Sequence, residues 1–359
     1  MIEILTYEQI DQEVWRVLVQ TSRTGTWFQT PEAYSLYASM PELFRPFVMA
    51  VEGVSELSNE RTLRGVCVGY VTMEKNAVKQ FFTRRTIIIG GPALADDCTN
   101  EEVETLMNAV RQRLQIEGCR LKISRGPIYI ETRNFNDYSP WREAFEKTGF
   151  VYQPHLNFHI NTSSIDVVEA NLGKSRKRDI KTTIREGVSI VEISQLGLQV
   201  SNLEREKLVH EYYLLLKKLY DAKIKTPLFP EPFFQSLAKH PDGRILLTMY
   251  NGRVIGGTVC VEQTNKCVYE WFVCGEDGIY NHIFPSSYAT YAGICYAAEH
   301  HCPRFDMMGA GKPDEVYGVR DFKARFGGKE VEYGRFLCVT KPLLYRLGVI
   351  GVKLLKKLK

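Results

Sequence analysis

The chain has 359 residues, 44% of them hydrophobic and 25% charged, the balance of a folded chain of about two domains at ~150 residues each. With 27 glycines and 15 prolines it is neither collagenous nor low in complexity, and its apolar runs fall short of the ~20 residues that cross a bilayer. The net charge is +4, but residues 341–359 (KPLLYRLGVIGVKLLKKLK) hold six bases and no acid, which leaves the other 340 residues at −2.

The opening MIEILTYEQI carries Glu3 where a secretory leader needs positive charge, and no small-residue cleavage site follows, so a cytoplasmic protein is expected. A helix is expected over 7–20 and another over 31–39, then strands around 46–51 and 65–74. TIIIGG ends a further strand at 91. EEVETLMNAVRQRLQ reads as a helix opened by Thr99 or Asn100, LKIS at 121–124 as a strand, and 140–147 as a short helix capped by Gly149.

Midway lies KSRKRDIKTTIREG (174–187), in which residues 174–185 carry six bases and one acid. A long helix follows (LEREKLVHEYYLLLKKLYDAK), then a loop punctuated by Pro227, Pro230 and Pro232, then a helix restarting at FFQSLAK. VIGGTVCVE (254–262) comes after an Asn-Gly turn, followed by CVYEWFVCG (267–275), a helix from Pro285 to His300, and RFDMMGAG (304–311). Residues 65–124 and 255–308 thus share the order strand, strand, helix, strand, with Cys119 and Cys302 near the helix-to-strand turns. An internal duplication explains this, although any two α/β halves can share such an order. In the tail, a helix would line up Leu343, Leu347, Ile350, Leu354 and Leu358 with lysines opposite. That pattern suits a helix lying on an anionic membrane surface, and equally a terminal helix docked on its own core.

Most familiar chemistry is missing. Five positions before Gly173 and Gly311, where a phosphate loop needs glycine, stand Val168 and Asp306. G-x-G-x-x-G, G-x-S-x-G and H-E-x-x-H are absent. The nine cysteines are scattered without a C-x-x-C pair, so buried reduced thiols are expected and no metal site. One segment is unusually dense: FDMMGAGKPDEVYGVRDFKARFGG (305–328). Its Gly309-Ala310-Gly311 turn lets backbone amides approach a ligand, and polar and aromatic side chains crowd the loop behind it.

Taken in order, WFQTPEAYSLYASM (27–40), IREGV (184–188), NGRVIGGTVCV (251–261), YEWFVCGEDG (269–278), the proline opening the next helix, FDMMGAGKPDEVYG and VRDFKARFGG resemble the Fem family of acyltransferases. The resemblance spans nearly the whole chain. It implies an α+β fold of two domains shaped like GNAT-type N-acetyltransferases, each a mixed, mostly antiparallel sheet flanked by helices. The expected domains are 1–155 and 156–340, the second carrying the main cleft, with 341–359 as a basic amphipathic helix.

The activity implied is transfer of an acyl or aminoacyl group to an amine of a cell-envelope precursor, nucleotide- or lipid-linked, such as a peptidoglycan stem peptide or an amino-sugar glycan. The donor would be aminoacyl-tRNA or acyl-CoA, with no tightly bound cofactor. Such chemistry needs a deprotonated amine and donors for the growing negative charge. By the same resemblance the family's Phe-Lys pair falls on Phe322 and Lys323. Lys323 would stabilise charge and Phe322 would stack on a nucleotide base, with Arg320, Gly309, Gly311 and Lys312 also on the donor side. A solvated helix lysine is the plainer reading of Lys323. Tyr317, Tyr269 and Trp271 would line the cleft, the last two serving equally as core aromatics. Asp306 is the nearest candidate base, or a carboxylate capping the glycine-rich turn.

Lys174, Arg176, Lys177 and Arg178 form a basic patch for tRNA or diphosphate, or else the solvated face of a helix whose apolar side is Ile180 and Ile184. Phe229 and Phe233 stand where relatives that hold a uridine-nucleotide muropeptide place an Arg and a Tyr, and phenylalanine cannot clamp a diphosphate. Ser35 and Tyr37 occupy the neighbourhood of that pocket's lysine. A lipid-linked acceptor or a different amino sugar is therefore expected. GEDGIYNHIFP follows YEWFVC in place of a pyrophosphate-binding Arg/Gln-x-x-Gly-x-Gly/Ala loop, which weighs against acyl-CoA. Two rivals stay open: acyl-CoA-dependent acetylation in surface polysaccharide synthesis, and a non-catalytic tRNA- or membrane-binding adaptor on a degenerate fold. Peripheral association with the inner membrane face would run through 341–359.

Overall fold

A computed structural model describes residues 2–55, 60–120, 126–196, 200–224 and 228–357. The strand expected at 121–124, loop residues 225–227 and Leu358 lie outside the described residues. The chain divides into two compact units, Met1–His155 with Tyr333–Lys359, and Leu156–Glu332.

The first unit opens with β1 (Glu3–Thr6), α1 (Gln12–Thr21) and α2 (Pro31–Ala38). The helix expected over 7–20 is shorter because the Asp11 carboxylate accepts from the amides of Glu13 and Val14 and fixes the start there. Next come the hairpin β2 (Phe44–Val54) and β3 (Arg61–Thr72), α3 (Ala77–Thr83), β4 (Thr86–Gly90), β5 (Ala93–Leu94) and α4 (Asn100–Arg120). β6 (Tyr129–Asn134), α5 (Arg142–Lys147) and β7 (Val151–Gln153) complete this half.

The second unit runs through β8 (Leu156–Asn161), α6 (Ile165–Asn171), α7 (Lys174–Arg185), β9 (Ser189–Glu192), α8 (Asn202–Leu219) and α9 (Glu231–Lys239). It continues with β10 (Gly243–Tyr250), β11 (Arg253–Gln263), β12 (Cys267–Gly275), α10 (Pro285–Glu299), β13 (Arg304–Asp306), α11 (Gly318–Ala324) and β14 (Lys329–Glu332). The chain then returns to the first unit as β15 (Arg335–Val339) and α12 (Pro342–Lys357).

The fold is α+β, with two mixed, mostly antiparallel sheets flanked by helices. The first has the order β1-β2-β3-β4-β6-β15-β7, with β5 on β3, and the second, read from its far end, β9-β10-β11-β12-β13-β8-β14. Position by position the orders match, and each sheet has one parallel pair, at β4–β6 and at β12–β13. That shared topology is the signature of a duplication. The fourth repeated element of the first half is β6 at 129–134. In each sheet the strand before the last is the one that starts directly after the other sheet's closing strand: β8 follows β7, and β15 follows β14. Residues 335–339, expected to end the second domain, therefore pair with β6 and β7.

Gln29, from the WFQTPEAY motif, has a structural task. β3 pairs with β4 only at Tyr70 and Val71. Beyond that point the buried Gln29 amide donates to the carbonyls of Val68 (3.0 Å) and Ile89 (2.8 Å) and accepts from the Val68 amide (2.7 Å). It thus replaces ladder bonds that would otherwise be missing. Thr30 beside it caps α2, with Pro31 in the first turn.

In the first unit α4 lays Val103, Leu106, Met107 and Val110 on the strands, and Phe145 stacks on Phe336 at 4.1 Å between centroids. In the second, Ile294 of α10 meets Phe158, Cys260, Val268 and Phe305. Each such fully buried side chain contributes about 1.5–3 kcal/mol. The eight described cysteines are unpaired, seven of them buried. No helix among the described residues is long and apolar enough to cross a membrane.

Candidate active site

β12 and β13 pair at only two positions, Val268 with Phe305 and Tyr269 with Asp306. At the matching place in the first unit β4 and β6 stay zipped from Thr86–Ile130 to Gly90–Asn134. Past Tyr269, β12 keeps to β11 as far as Gly275, and Trp271 is an extra residue between the Glu270–Cys260 and Phe272–Val259 pairs. A bulge of this kind bends and twists its strand. Past Asp306 the chain keeps to β8: the Met307 amide donates to Phe158, the Ala310 amide to Leu156, and the Leu156 amide to Gly311. The second unit's parallel pair therefore opens into a fork.

One arm of the fork is the loop 307–313, which turns at positive φ on Met308, Gly309 and Gly311. A Cβ on Gly311 would stand 2.8 Å from the Tyr317 ring, so glycine is required there for packing as well as for conformation. Two cations one turn apart on α11 fix this loop. Lys323 donates its three ammonium protons to the carbonyls of Met307, Met308 (2.5 Å) and Gly309 (2.8 Å). Arg320 donates to Ala310 (3.1 Å), Pro313 (3.2 Å) and Lys312. Six carbonyls of a seven-residue loop are thereby oriented by side chains.

Lys323 is only 6% exposed. Burial pushes its ammonium down to about 8, against the opposing pull of the Glu270 and Asp306 charges. Its positive charge thus lies at the fork, hydrogen-bonded to one arm and under the influence of Glu270 on the other. Glu270 is itself buried, which raises its carboxyl above the usual range while Lys323, Thr290 and Thr258 draw it back. Its Oε1 accepts from Thr290 (2.8 Å) and Thr258 (3.1 Å), and Oε2 has no hydrogen-bond partner among the described residues.

Asp306 is fully buried at the base of the fork. Its Oδ1 accepts from Asn157 and from the Met308 amide, both at 2.8 Å, and His159 Nε2 lies 3.1 Å from Oδ2. Burial works to raise this carboxyl, but His159, Arg304 and Asn157 outweigh it and hold it below its ordinary value. The Asp306 carboxylate ties the fork base to β8 and caps the first residue of the turn.

The other expected residues are distributed around this centre. Phe322 is half-buried, one face covered by the Arg176 guanidinium at 4.6 Å. Arg176 is buried: it donates to Ser287 and to the Phe322 carbonyl and lies over Phe326, so it faces inward rather than joining a solvated patch. Lys174 and Arg178 are exposed, and Lys177 pairs with Glu169 at 3.3 Å. On α7 Ile180 is buried but Ile184 is exposed. Tyr269 is a fully buried core aromatic, while Trp271 is half-buried and packs on Phe233 (5.2 Å), Phe272 and Phe229. Phe233 is buried and Phe229 half-buried. Lys312 and Tyr317 are exposed.

The fork's surroundings also include two residues that sequence reasoning missed, Glu270 and His159, and Arg176, which it placed in a basic patch and which instead faces inward. A charge inside the apolar run CVYEWFVCG was the available signal for Glu270. The spacing of Arg176, Asp179, Ile180 and Thr183, all on the buried face of α7, was the signal for Arg176.

The start of α10 closes one approach. A Cβ on Gly275, at the end of β12, would stand 2.5 Å from the Ser286 amide nitrogen. That amide donates to Asp277 (3.3 Å), and the Ser286 hydroxyl donates to the same carboxylate. The helix's positive end is thus neutralised by the chain's own aspartate, with Glu276 beside it.

Comparison with known proteins agrees with this architecture. The FemAB family profile matches residues 248–351, from the end of β10 through the fork, its loop and α11 to α12. No curated protein matches the chain. The crystal structure of FemX is similar over 96% of this chain and 99% of its own, at TM-score 0.67 and 11% identity. The C-terminal domain of a putative lysylphosphatidylglycerol synthetase from Agrobacterium fabrum covers 93% of each chain at TM-score 0.55 and 11% identity. A tandem GNAT protein from the clavulanic acid biosynthesis pathway covers 94% of this chain and 98% of its own, at TM-score 0.50 and 9% identity. The chain resembles the FemAB family, through the segment that builds the fork, and has the fold of FemX over 96% of its length.

Proposed function

We propose that the fork is the site of an N-acyltransferase that moves an aminoacyl or acyl group onto an amine of a cell-envelope precursor. The observation that carries this reading is the fork itself, open in the second unit and zipped in the first, with the buried Lys323 charge where its strands part. In the reaction an amine nitrogen bonds to the acyl carbon, the ester C–O bond breaks, and the amine's proton ends on the released hydroxyl. Negative charge grows on the acyl oxygen on the way. A buried cation stabilises it far more than an exposed one would, because little water screens the field. Lys323 gives that stabilisation through its field while its protons hold the loop. Direct donation requires one loop carbonyl to yield its place. The half-buried Phe322 ring, whose orientation is fixed by Arg176, offers a flat surface for a donor base.

Of the two donor classes, an aminoacyl ester of tRNA is favoured over acyl-CoA. A CoA pyrophosphate needs free amides at a helix start, and the first turn of α10 is closed by Gly275 and Asp277. The membership of Arg176 in the fold's interior leaves Lys174, Arg178, Lys181 and Arg185 as the exposed bases on α7 that can meet phosphates. Titration calorimetry with CoA and with charged tRNA tests the choice. Binding of charged tRNA, weakened by salt, is expected. Tight CoA binding would replace this reading with acyl-CoA-dependent acetylation, and donor binding without turnover on any amine would replace it with an adaptor.

A further inference from the structure

β4 begins at Thr86, β6 begins at Tyr129 and β15 ends at Val339, and the three are neighbours in the first unit's sheet. Since β4 and β6 are parallel and β15 runs against them, these three points lie at one end of the sheet. The segment before β6 joins the helices found there. The Ile128 amide donates to the carbonyl of Arg84, the residue that ends α3 (2.8 Å). The Ile128 carbonyl accepts from Thr340 (3.0 Å) and Lys341 (3.1 Å), which lead into α12, and Lys341 Nζ reaches the Gly126 carbonyl (2.7 Å). The end of α3 and the start of α12 are therefore two strand spacings apart, roughly 10 Å.

Both helices turn apolar side chains to solvent. On α3, Val78 is 68% exposed, and Phe82 and Phe81 are exposed with their rings 4.9 Å apart. On α12, Leu343 is 77% exposed, and Leu347 and Ile350 follow on the same stripe, also exposed. Tyr345 anchors α12 through its contact with the Tyr129 ring at 5.7 Å. Leu343, Leu347 and Ile350 are thus not docked on the core. Around them the charge is net positive: Lys75, Arg84 and Arg85 flank α3, where Lys79 and Glu74 neutralise each other at 2.9 Å, and the sequence of residues 341–359 carries six bases and no acid. A second copy meeting this face would set bases against bases. Anionic lipid complements both its apolar and its basic parts.

We infer that α3 and α12 together form a platform by which the first unit docks on an anionic bilayer. The platform concerns where the chain works rather than what it transfers, so its test needs no turnover. The full chain is floated with vesicles of phosphatidylcholine alone or mixed with phosphatidylglycerol, as wild type and as the pairs Phe81→Ser/Phe82→Ser and Leu343→Ser/Leu347→Ser. All four side chains are exposed, and an unchanged thermal melt verifies that folding is intact. Wild type is expected to float with the anionic vesicles only, less so at high salt, and each pair to lower partitioning about tenfold or more. Loss in the α12 pair with no change in the α3 pair would overturn the shared platform. Undiminished partitioning in both pairs would overturn it too, as would a self-association abolished by the same substitutions in a chain that ignores lipid.

Discussion

Arg320 and Lys323, one turn apart on α11, divide the fork loop between them: Arg320 holds the carbonyls of Ala310, Lys312 and Pro313, and Lys323 those of Met307, Met308 and Gly309. Six of the loop's seven carbonyls are thus drawn toward one helix, while that of Gly311 accepts from the Leu156 amide of β8. Both cations are therefore structural in the resting protein, and Lys323 adds a buried field at the point where the strands part.

Lys323→Met keeps the length of the side chain but removes the charge and three donors. We expect transfer to fall by about 100-fold or more in kcat/KM, the scale of losing a transition-state donor. Arg320→Lys keeps a charge but puts one nitrogen in place of the three that separately hold the carbonyls of Ala310, Pro313 and Lys312. A smaller fall, about tenfold, is expected from the misplaced loop, by the same order-of-magnitude reasoning. Steady-state kinetics of both variants are the measurement, and equal activity in Lys323→Met and wild type would contradict the role.

The same lysine makes stability depend on pH in a defined direction. Its folded-state value is pushed to about 8, below the 10.5 of an ordinary lysine. Between these values the unfolded chain holds a proton that the folded chain has released, so the contribution of Lys323 to stability rises with pH. The slope is at most about 1.4 kcal/mol per pH unit. Urea unfolding of wild type and Lys323→Met across this window should show the wild type gaining on the variant as pH increases; a constant difference would contradict it.

Glu270→Gln removes the nearby negative charge that raises Lys323. Lysine titration in the variant, followed by NMR of labelled side chains, is expected below about 8, with any alkaline limb of the activity profile moving the same way. A titration unmoved by the substitution would separate the two residues.

Gln29→Leu fits the same space yet orphans the amide of Val68 and the carbonyls of Val68 and Ile89. Leaving buried backbone groups unpaired is expected to cost about 3 kcal/mol. Thermal or urea unfolding of the variant provides the check, and a loss within error of zero would show that water or backbone replaces the amide.

Local features were legible in the sequence. Thr30 before Pro31, the TIIIGG run and Gly149 each mark an element boundary by capping or conformational preference, and the structure places boundaries there within a few residues. Non-local pairing was not: nothing in RFLCV tells that it enters the first sheet between β6 and β7. The opening of the fork was equally hidden, because it is a difference in how far two parallel strands stay paired. Lys323 could be singled out by motif, but its burial could not, since a lysine on a short helix next to Arg320 and Arg325 reads as solvated. Only the fold brings six loop carbonyls to those side chains.

The activity proposed for the fork is acyl transfer under the field of Lys323. Its most direct measurement is single-turnover transfer of labelled amino acids from charged tRNA to a panel of nucleotide- and lipid-linked envelope amines, by wild type and Lys323→Met side by side. Labelled amide is expected with wild type, and labelling at least about 100-fold slower with the variant. Equal rates for the two proteins, or label accepted only from acyl-CoA, would contradict it.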